Sequence, residues 1–173
     1  QNATLRLAIV GMALVHLIYA EIQFLQLWLV AERGFSPQEA SGLYGQVYLL
    51  TALPASILGG VAADWLAKRA GFNRASFIFG VILLTLPFVV LFRFSEPNSA
   101  WFLVGMIASV TLFTLPYGAM ISMILDEVPE SIRASTTAMT MFAVNVLVIG
   151  LATYGLGLAS DLFTEMGHDE PLT

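Results

Sequence analysis

The chain has 173 residues, of which 58% are hydrophobic and 11% are charged, and its mean hydropathy is +0.82. Because a water-soluble domain usually carries charge on about a quarter of its residues, this composition indicates a protein that folds in a lipid bilayer. The absence of cysteine excludes disulfides, thiolate metal sites and thiol nucleophiles, and the net charge of −5 argues against a nucleic-acid partner.

Five apolar stretches are each long enough to cross about 30 Å of hydrocarbon as an α-helix, and none alternates as a barrel strand would. In chain order they cover residues 5–30, 40–66, 75–92, 100–125 and 136–160. The sequence therefore predicts an all-α, polytopic membrane protein with five transmembrane helices. The polar residues 161–173 are interpreted as an extracytoplasmic tail or as the start of a sixth span that is missing. The odd number of spans indicates a fragment of a longer chain.

The connectors between the spans carry signals for helix ends and for orientation. Ser36-Pro37-Gln38-Glu39 is typical of a helix start, with an N-cap serine, a proline at the first helical position and a capping-box glutamate. Basic residues concentrate on the cytoplasmic side of membrane proteins. One set of ends and connectors holds Arg6, Lys68, Arg69, Arg74 and Arg133, and the other holds Arg33 and Arg93. We therefore predict an inner or plasma membrane protein whose N-terminus is cytoplasmic.

The first span carries a polar stripe of four residues that fall within about 80° of one another on a helix. These residues are His16, Tyr19, Gln23 and Gln26. The stripe either lines a substrate cavity or bonds to a neighbouring helix, and the cost of exposing amides to lipid favours the cavity. Glu21 lies on a different face, where it either carries a coupling proton or is neutral or paired in a helix contact. His16 is a second proton candidate, or a packing residue.

In the second span, Tyr48 shares a face with Tyr44 and Thr51, and this face belongs either to the core or to the cavity. The opposite rows, Ala52-Ser56-Gly60 and Ala55-Gly59-Ala63, have small residues at every fourth position and predict close helix packing.

Two polar or helix-breaking residues stand out in the last two spans. Pro116 predicts a bend in the fourth span, because proline removes a helical hydrogen bond. Asn145 lies near the middle of the fifth span, either as a substrate contact or as a hydrogen-bonding residue between helices.

The segment from Gly60 to Arg69, GVAADWLAKR, resembles the G-x-L-A-D-R-x-G-R-K loop of the major facilitator superfamily of transporters. The glycine, the alanine before the acid, the acid and both final basic residues match. Trp65 and Ala67 depart from the pattern, since the family has arginine and glycine there.

Three further segments are similar to the same family, in the expected order. They are Val128-Pro129-Glu130-Ser131-Ile132-Arg133-Ala134, similar to the loop between helices ten and eleven; Gly155 to Asp161, similar to the end of helix eleven; and Arg33 to Gly42, similar to the connection of helices seven and eight. The resemblance implies a partial six-helix bundle, helices seven to eleven of the C-terminal half, of the spinster-like or organic-anion type.

The resemblance further implies a cytoplasmic latch that holds one conformation closed. Its residues would be Gly60, Asp64, Lys68, Arg69 and Arg133, with Arg133 the best partner for Asp64 within this chain. The implied function is secondary active transport of a small organic solute by alternating access, by uniport or with protons. The solute would be an organic anion, a sugar acid or a lipid-like molecule. The partner of this chain would be the N-terminal six-helix bundle of the same parent.

The sequence offers no cofactor site and no catalytic set. It has two histidines and no cysteine, and Gly155-Leu156-Gly157 lies inside an apolar span rather than at a strand-to-helix turn that holds phosphate. We therefore predict no enzyme, no metal and no cofactor. Two alternatives to transport stay open: a non-transporting scaffold or receptor-like subunit, and an intramembrane enzyme that uses Glu21 and His16.

Overall fold

The computed structural model describes residues 3–168 and Leu172, without the side chains of residues 18–21 and Gln23. Every regular element in this part of the chain is helical. The helices are α1 (Ala3–Ala31), α2 (Pro37–Ala70), α3 (Arg74–Phe94), α4 (Ala100–Thr114), α5 (Tyr117–Asp126), α6 (Arg133–Ala143) and α7 (Gly150–Glu165). A 3-10 turn, Glu130–Ile132, precedes α6, and a π-helical segment, Val144–Ile149, joins α6 to α7.

Four helical stretches are long and apolar enough to cross a membrane, which makes the chain an integral membrane protein by length and composition. They are Pro37–Ala70, Arg74–Phe94, Ala100–Asp126 and Glu130–Glu165. In α1, the apolar helix found among the described residues is the shorter Ala3–Leu17. The last stretch continues five residues past Ser160, the predicted end of the fifth span.

The predicted start of α2 is confirmed. The backbone N–H of Ser36 donates to the Glu39 carboxylate at 2.9 Å, and the N–H of Glu39 donates back to the Ser36 hydroxyl at 3.3 Å. These reciprocal bonds form a capping box, which satisfies amide groups that a helix start leaves without partners.

The chain divides into two compact units. The central unit comprises Leu43–Glu127, and the terminal unit comprises Gln1–Gly42 with Val128–Thr173. The central unit thus holds most of α2 together with α3, α4 and α5. The terminal unit holds α1, the start of α2, α6, the π-segment and α7.

In the central unit, α3 packs closely along α4. The rings of Phe92 and Phe102 meet edge to face, with centroids 4.8 Å apart. Gly105 of α4 lies directly against the backbone of α3, since a Cβ atom on it would be 2.8 Å from the Phe88 carbonyl oxygen. Such a contact leaves no room for any side chain at this position.

The second close approach in the central unit joins α2 to the break between α4 and α5. The break lies at Leu115 and Pro116, as the proline predicted. Gly59 touches the Leu115 carbonyl group, and its row, Ala55-Gly59-Ala63, is buried as the small-residue pattern predicted. The other predicted row packs only in part, because Ala52 is buried whereas Ser56 is exposed.

In the terminal unit, α1 packs against the π-segment and α7. Between α1 on one side and the π-segment with α7 on the other lies an open apolar groove of about 450 Å³. It is lined by residues such as Leu14 of α1 and Leu151 of α7. Further along, Gly157 of α7 faces the Phe24 ring of α1.

Candidate functional site

The best-defined polar site lies at one end of the central unit, where Arg74 joins two carboxylates. We call Asp64, Arg74 and Asp126 the Arg74 cluster. The Nη2 atom of Arg74 is 3.4 Å from Oδ1 of Asp64, and its Nη1 atom donates to Oδ2 of Asp126. One guanidinium therefore holds together the end of α2, the start of α3 and the end of α5.

Local sequence signals place Arg74 at the start of α3. Asn73 caps α3 by accepting the Ser76 N–H at 2.8 Å, so that Arg74 becomes the first helical residue. The connection from α2 to α3 is only three residues long and includes Gly71, whose φ of 64° is in the left-handed region that glycine tolerates. This tight turn brings the Arg74 guanidinium back beside Asp64.

The positive charge of Arg74 compensates for the unfavourable position of two carboxylates near the C-terminal ends of helices. Asp64 lies in the last two turns of α2 and Asp126 is the last residue of α5, where the negative end of the helix dipole opposes a carboxylate. The guanidinium between them offsets this repulsion. The side chains of Asp64 and Asp126 are 59% and 58% exposed, so each ion pair is worth about 1 kcal/mol or less.

The Arg74 cluster lies next to a small hydrophobic core formed by α2, α3 and α5. Ala63, the neighbour of Asp64, is buried with Phe77 and Val81 of α3 and Ala119 of α5. The helix ends that carry the charges are therefore held by packing, and the ion pairs can open without loss of this core.

The other residues predicted for the latch have separate surroundings. Gly60 is half-buried with open space beside it, and Lys68 is exposed. Arg69 is exposed and lies 5.8 Å from the centre of the Trp65 ring. In the terminal unit, Arg133 donates its Nε–H to the Val128 carbonyl at 3.2 Å and lies 3.5 Å from the Glu130 carboxylate.

The structure thus pairs Asp64 with Arg74 within the central unit. The sequence favours Arg133, which belongs to the terminal unit, so a pairing of Asp64 with Arg133 stays a prediction. The sequence places Arg74 among the cytoplasmic basic residues and not in the latch. The signal that could have found it is the short Gly71–Asn73 connection, which forces the two helix ends together.

The two described members of the polar stripe in α1 differ in exposure. His16 is 3% exposed, and its Nδ1–H donates to the Met12 carbonyl at 2.7 Å. Gln26 is exposed, and its side-chain oxygen accepts the Ser41 hydroxyl at 3.5 Å. The side chains of Tyr19, Glu21 and Gln23 lie outside the described residues, so the predicted cavity face and proton site stay predictions.

Each of the two remaining cavity candidates makes a contact with the residue four positions earlier in the chain. Tyr48 is 40% exposed, and its ring centre is 5.8 Å from that of Tyr44. Asn145 is exposed within the π-segment and donates from Nδ2 to the Met141 carbonyl at 2.8 Å. A substrate contact at either residue stays a prediction.

Comparison of the chain with known proteins gives no further guide to the site. No family model, curated protein or solved structure matches it. Among the described residues, no group of three or more His, Asp or Glu side chains is placed to hold a metal ion. The Arg74 cluster is therefore the feature from which a function can best be argued.

The pairing within the cluster can be measured by a double-mutant cycle. We expect Arg74→Gln and Asp126→Asn each to lower the free energy of unfolding by about 1 kcal/mol or less, with a coupling of a few tenths of a kcal/mol that salt weakens. The measurement is reversible unfolding in mixed micelles at low and high salt. The matched control is Arg69→Gln, an exposed arginine in the last turn of α2, which should be additive with Asp126→Asn. Additivity at Arg74 as well would contradict the pairing.

Proposed function

We propose that this chain is part of a secondary active transporter of the major facilitator type, namely helices seven to eleven of its C-terminal half. In this proposal α1 also crosses the membrane, which gives five spans in total, and the N-terminus is cytoplasmic. The chain moves a small organic solute by alternating access together with an N-terminal six-helix bundle of the same parent. It carries out no chemical conversion of the solute.

The observation that carries the proposal is the Arg74 cluster. It includes Asp64 from the segment of α2 whose sequence resembles the family's latch, and it supplies this carboxylate with a cationic partner. A latch has to hold one conformation closed and yet open in every cycle. Weak, exposed ion pairs satisfy both requirements when the helix ends that carry them stay packed on their apolar core.

The solute is inferred from the polar side chains of the spans. The candidates His16, Gln26, Tyr48 and Asn145 are hydrogen-bonding groups without a fixed positive charge at neutral pH. Apart from Arg6 at the start of the first, the apolar stretches contain no lysine or arginine. A neutral solute could be bound by these groups alone. An organic anion would need a cationic residue from the other bundle, because a buried carboxylate without a partner is costly.

The direct test is uptake by the full-length parent in proteoliposomes, screened over organic acids, sugars and lysolipids with and without a proton gradient. Transport of at least one solute is the expected result, and dependence on the gradient would identify proton coupling. Solute conversion without uptake would support the enzyme alternative. Neither uptake nor conversion across the panel would favour a scaffold and contradict the proposal.

The latch makes a separate prediction for Asp64→Asn in the full-length parent. Loss of the carboxylate charge should shift the distribution of conformations away from the state in which the cluster is closed. Distances between spin labels on the two bundles would report this shift. Asp161→Asn, an equal change at an exposed aspartate of α7, is the control and should leave the distribution unchanged. An unchanged distribution for Asp64→Asn would remove the latch from the proposal.

A further inference from the structure

The long helical stretch from Glu130 to Glu165 changes its winding at its centre. In the π-segment, Val144–Ile149, the helix is wider than an α-helix, and the N–H of Gly150 donates to the carbonyl of Asn145, five residues earlier. A π-turn contains about one residue more than an α-turn, and such turns are frequent at functional sites. The Asn145 side chain, bonded to the Met141 carbonyl, ties the start of the segment to α6.

Two features of α7 lie beyond the π-segment. First, Gly157 faces α1, where a Cβ atom would be 3.8 Å from the tip of the Phe24 ring. Second, the Thr153 hydroxyl oxygen is buried without a hydrogen-bond partner among the described residues, as is the Ser109 hydroxyl oxygen in α4. Thr85, Thr114 and Thr164 each donate to the carbonyl four residues earlier. For Thr153 that carbonyl belongs to Ile149, the last residue of the π-segment.

A buried hydroxyl without a partner is unfavourable, so a rotation of α7 that exposes Thr153 removes this unfavourable burial. Rewinding the six residues of the π-segment as an α-helix increases the angle they sweep by about one residue, or about 100°. Each residue of α7 would then point in the direction in which the following residue of the helix points now. Leu156 would face Phe24 in place of Gly157, and Thr153 would move to the exposed face of Tyr154.

We propose that the π-segment is a rotary joint that turns α7 against α1 by one residue, and that the bond from Asn145 to Met141 holds the joint in its π-form. The motion exchanges a glycine for a leucine at the contact with Phe24, so it changes the packing of the two helices. The joint is a property of the terminal unit and does not depend on the proposed transport, since its test measures helix rotation alone.

The lack of cysteine in this chain allows a clean test by cross-linking. Phe24→Cys is combined in turn with Gly157→Cys, Leu156→Cys and Leu158→Cys, and the purified chain in lipid nanodiscs is treated with a short bifunctional thiol reagent. Leu156 and Leu158 lie about 100° to either side of Gly157, so on a static helix neither approaches Phe24 as closely as Gly157 does. The rotary joint predicts an excess of product at Leu156, in addition to the product at Gly157.

Two variants connect that excess to the π-segment. Deletion of Val146 removes the extra residue and leaves α7 in its present rotation, so the excess at Leu156 should disappear while the Gly157 product stays. Asn145→Ala removes the side-chain bond and should increase the excess, which keeps the test decisive if the deletion variant does not fold. Equal yields at Leu156 and Leu158 in the unmodified background would overturn the proposal. So would an excess that neither variant changes.

Discussion

Gly59→Ala should destabilise the protein by about 3 kcal/mol or more, at the upper end of the cost of overpacking. The new Cβ atom would lie 2.7 Å from the Leu115 carbonyl carbon and closer still to its oxygen. Both partners are backbone, so no side chain can rotate away and α2 would have to separate from the break between α4 and α5. The measurement is the thermal midpoint of the detergent-solubilised protein, followed by the loss of its monodisperse chromatographic peak.

The adjacent glycine is the matched control for this prediction. A Cβ atom on Gly60 would meet no atom within 4 Å, and both residues lie inside α2. Because alanine favours a helix over glycine by about 1 kcal/mol, Gly60→Ala should be neutral or stabilising. Opposite effects at neighbouring positions would establish which face of α2 is packed. Equal stability of the two variants would contradict the observed contact.

Gly105→Ala should be the second most damaging change, costing about 2–3 kcal/mol because it forces α3 and α4 apart. Its Cβ atom would lie 2.8 Å from the Phe88 carbonyl oxygen and 3.0 Å from the Phe92 Cα atom. The edge-to-face contact of Phe92 with Phe102 would be loosened at the same time. The same thermal assay measures the effect.

Gly80→Ala in α3 controls for the change in helix propensity. Its Cβ atom would meet no atom within 4 Å, so we expect this variant to be as stable as the parent or more stable. A Gly105→Ala variant as stable as Gly80→Ala would show that the two helices are not in close contact at this point.

The central unit contains two kinds of contact between helices. The backbone contacts are tightly packed, whereas the ion pairs of the Arg74 cluster open easily. The backbone contacts at Gly59 and Gly105 resist separation, whereas the exposed ion pairs at the helix ends open at a cost of about 1 kcal/mol each. Such contacts are expected of a unit that moves as a rigid body and is held in one conformation by weak ion pairs. That division is what the proposed alternating access needs from this part of the chain.

The sequence alone determined those features that depend on a few neighbouring residues or on composition. The apolar stretches predicted helices and a membrane location, Ser36 and Glu39 predicted the start of α2, and Pro116 predicted the break between α4 and α5. Backbone hydrogen bonds in a helix and at its caps span only three or four residues, so the local sequence is sufficient to specify them.

Only the tertiary structure decided which faces meet and which charges pair. The periodicity of α2 could not distinguish Gly59, which touches a backbone carbonyl, from Gly60, which does not. Nor did it identify Arg74 as the partner of Asp64, or find the π-segment that sets the rotation of α7. These features depend on the rotation and register of helices that are distant in the chain, because a side chain meets its partner only after both helices have packed.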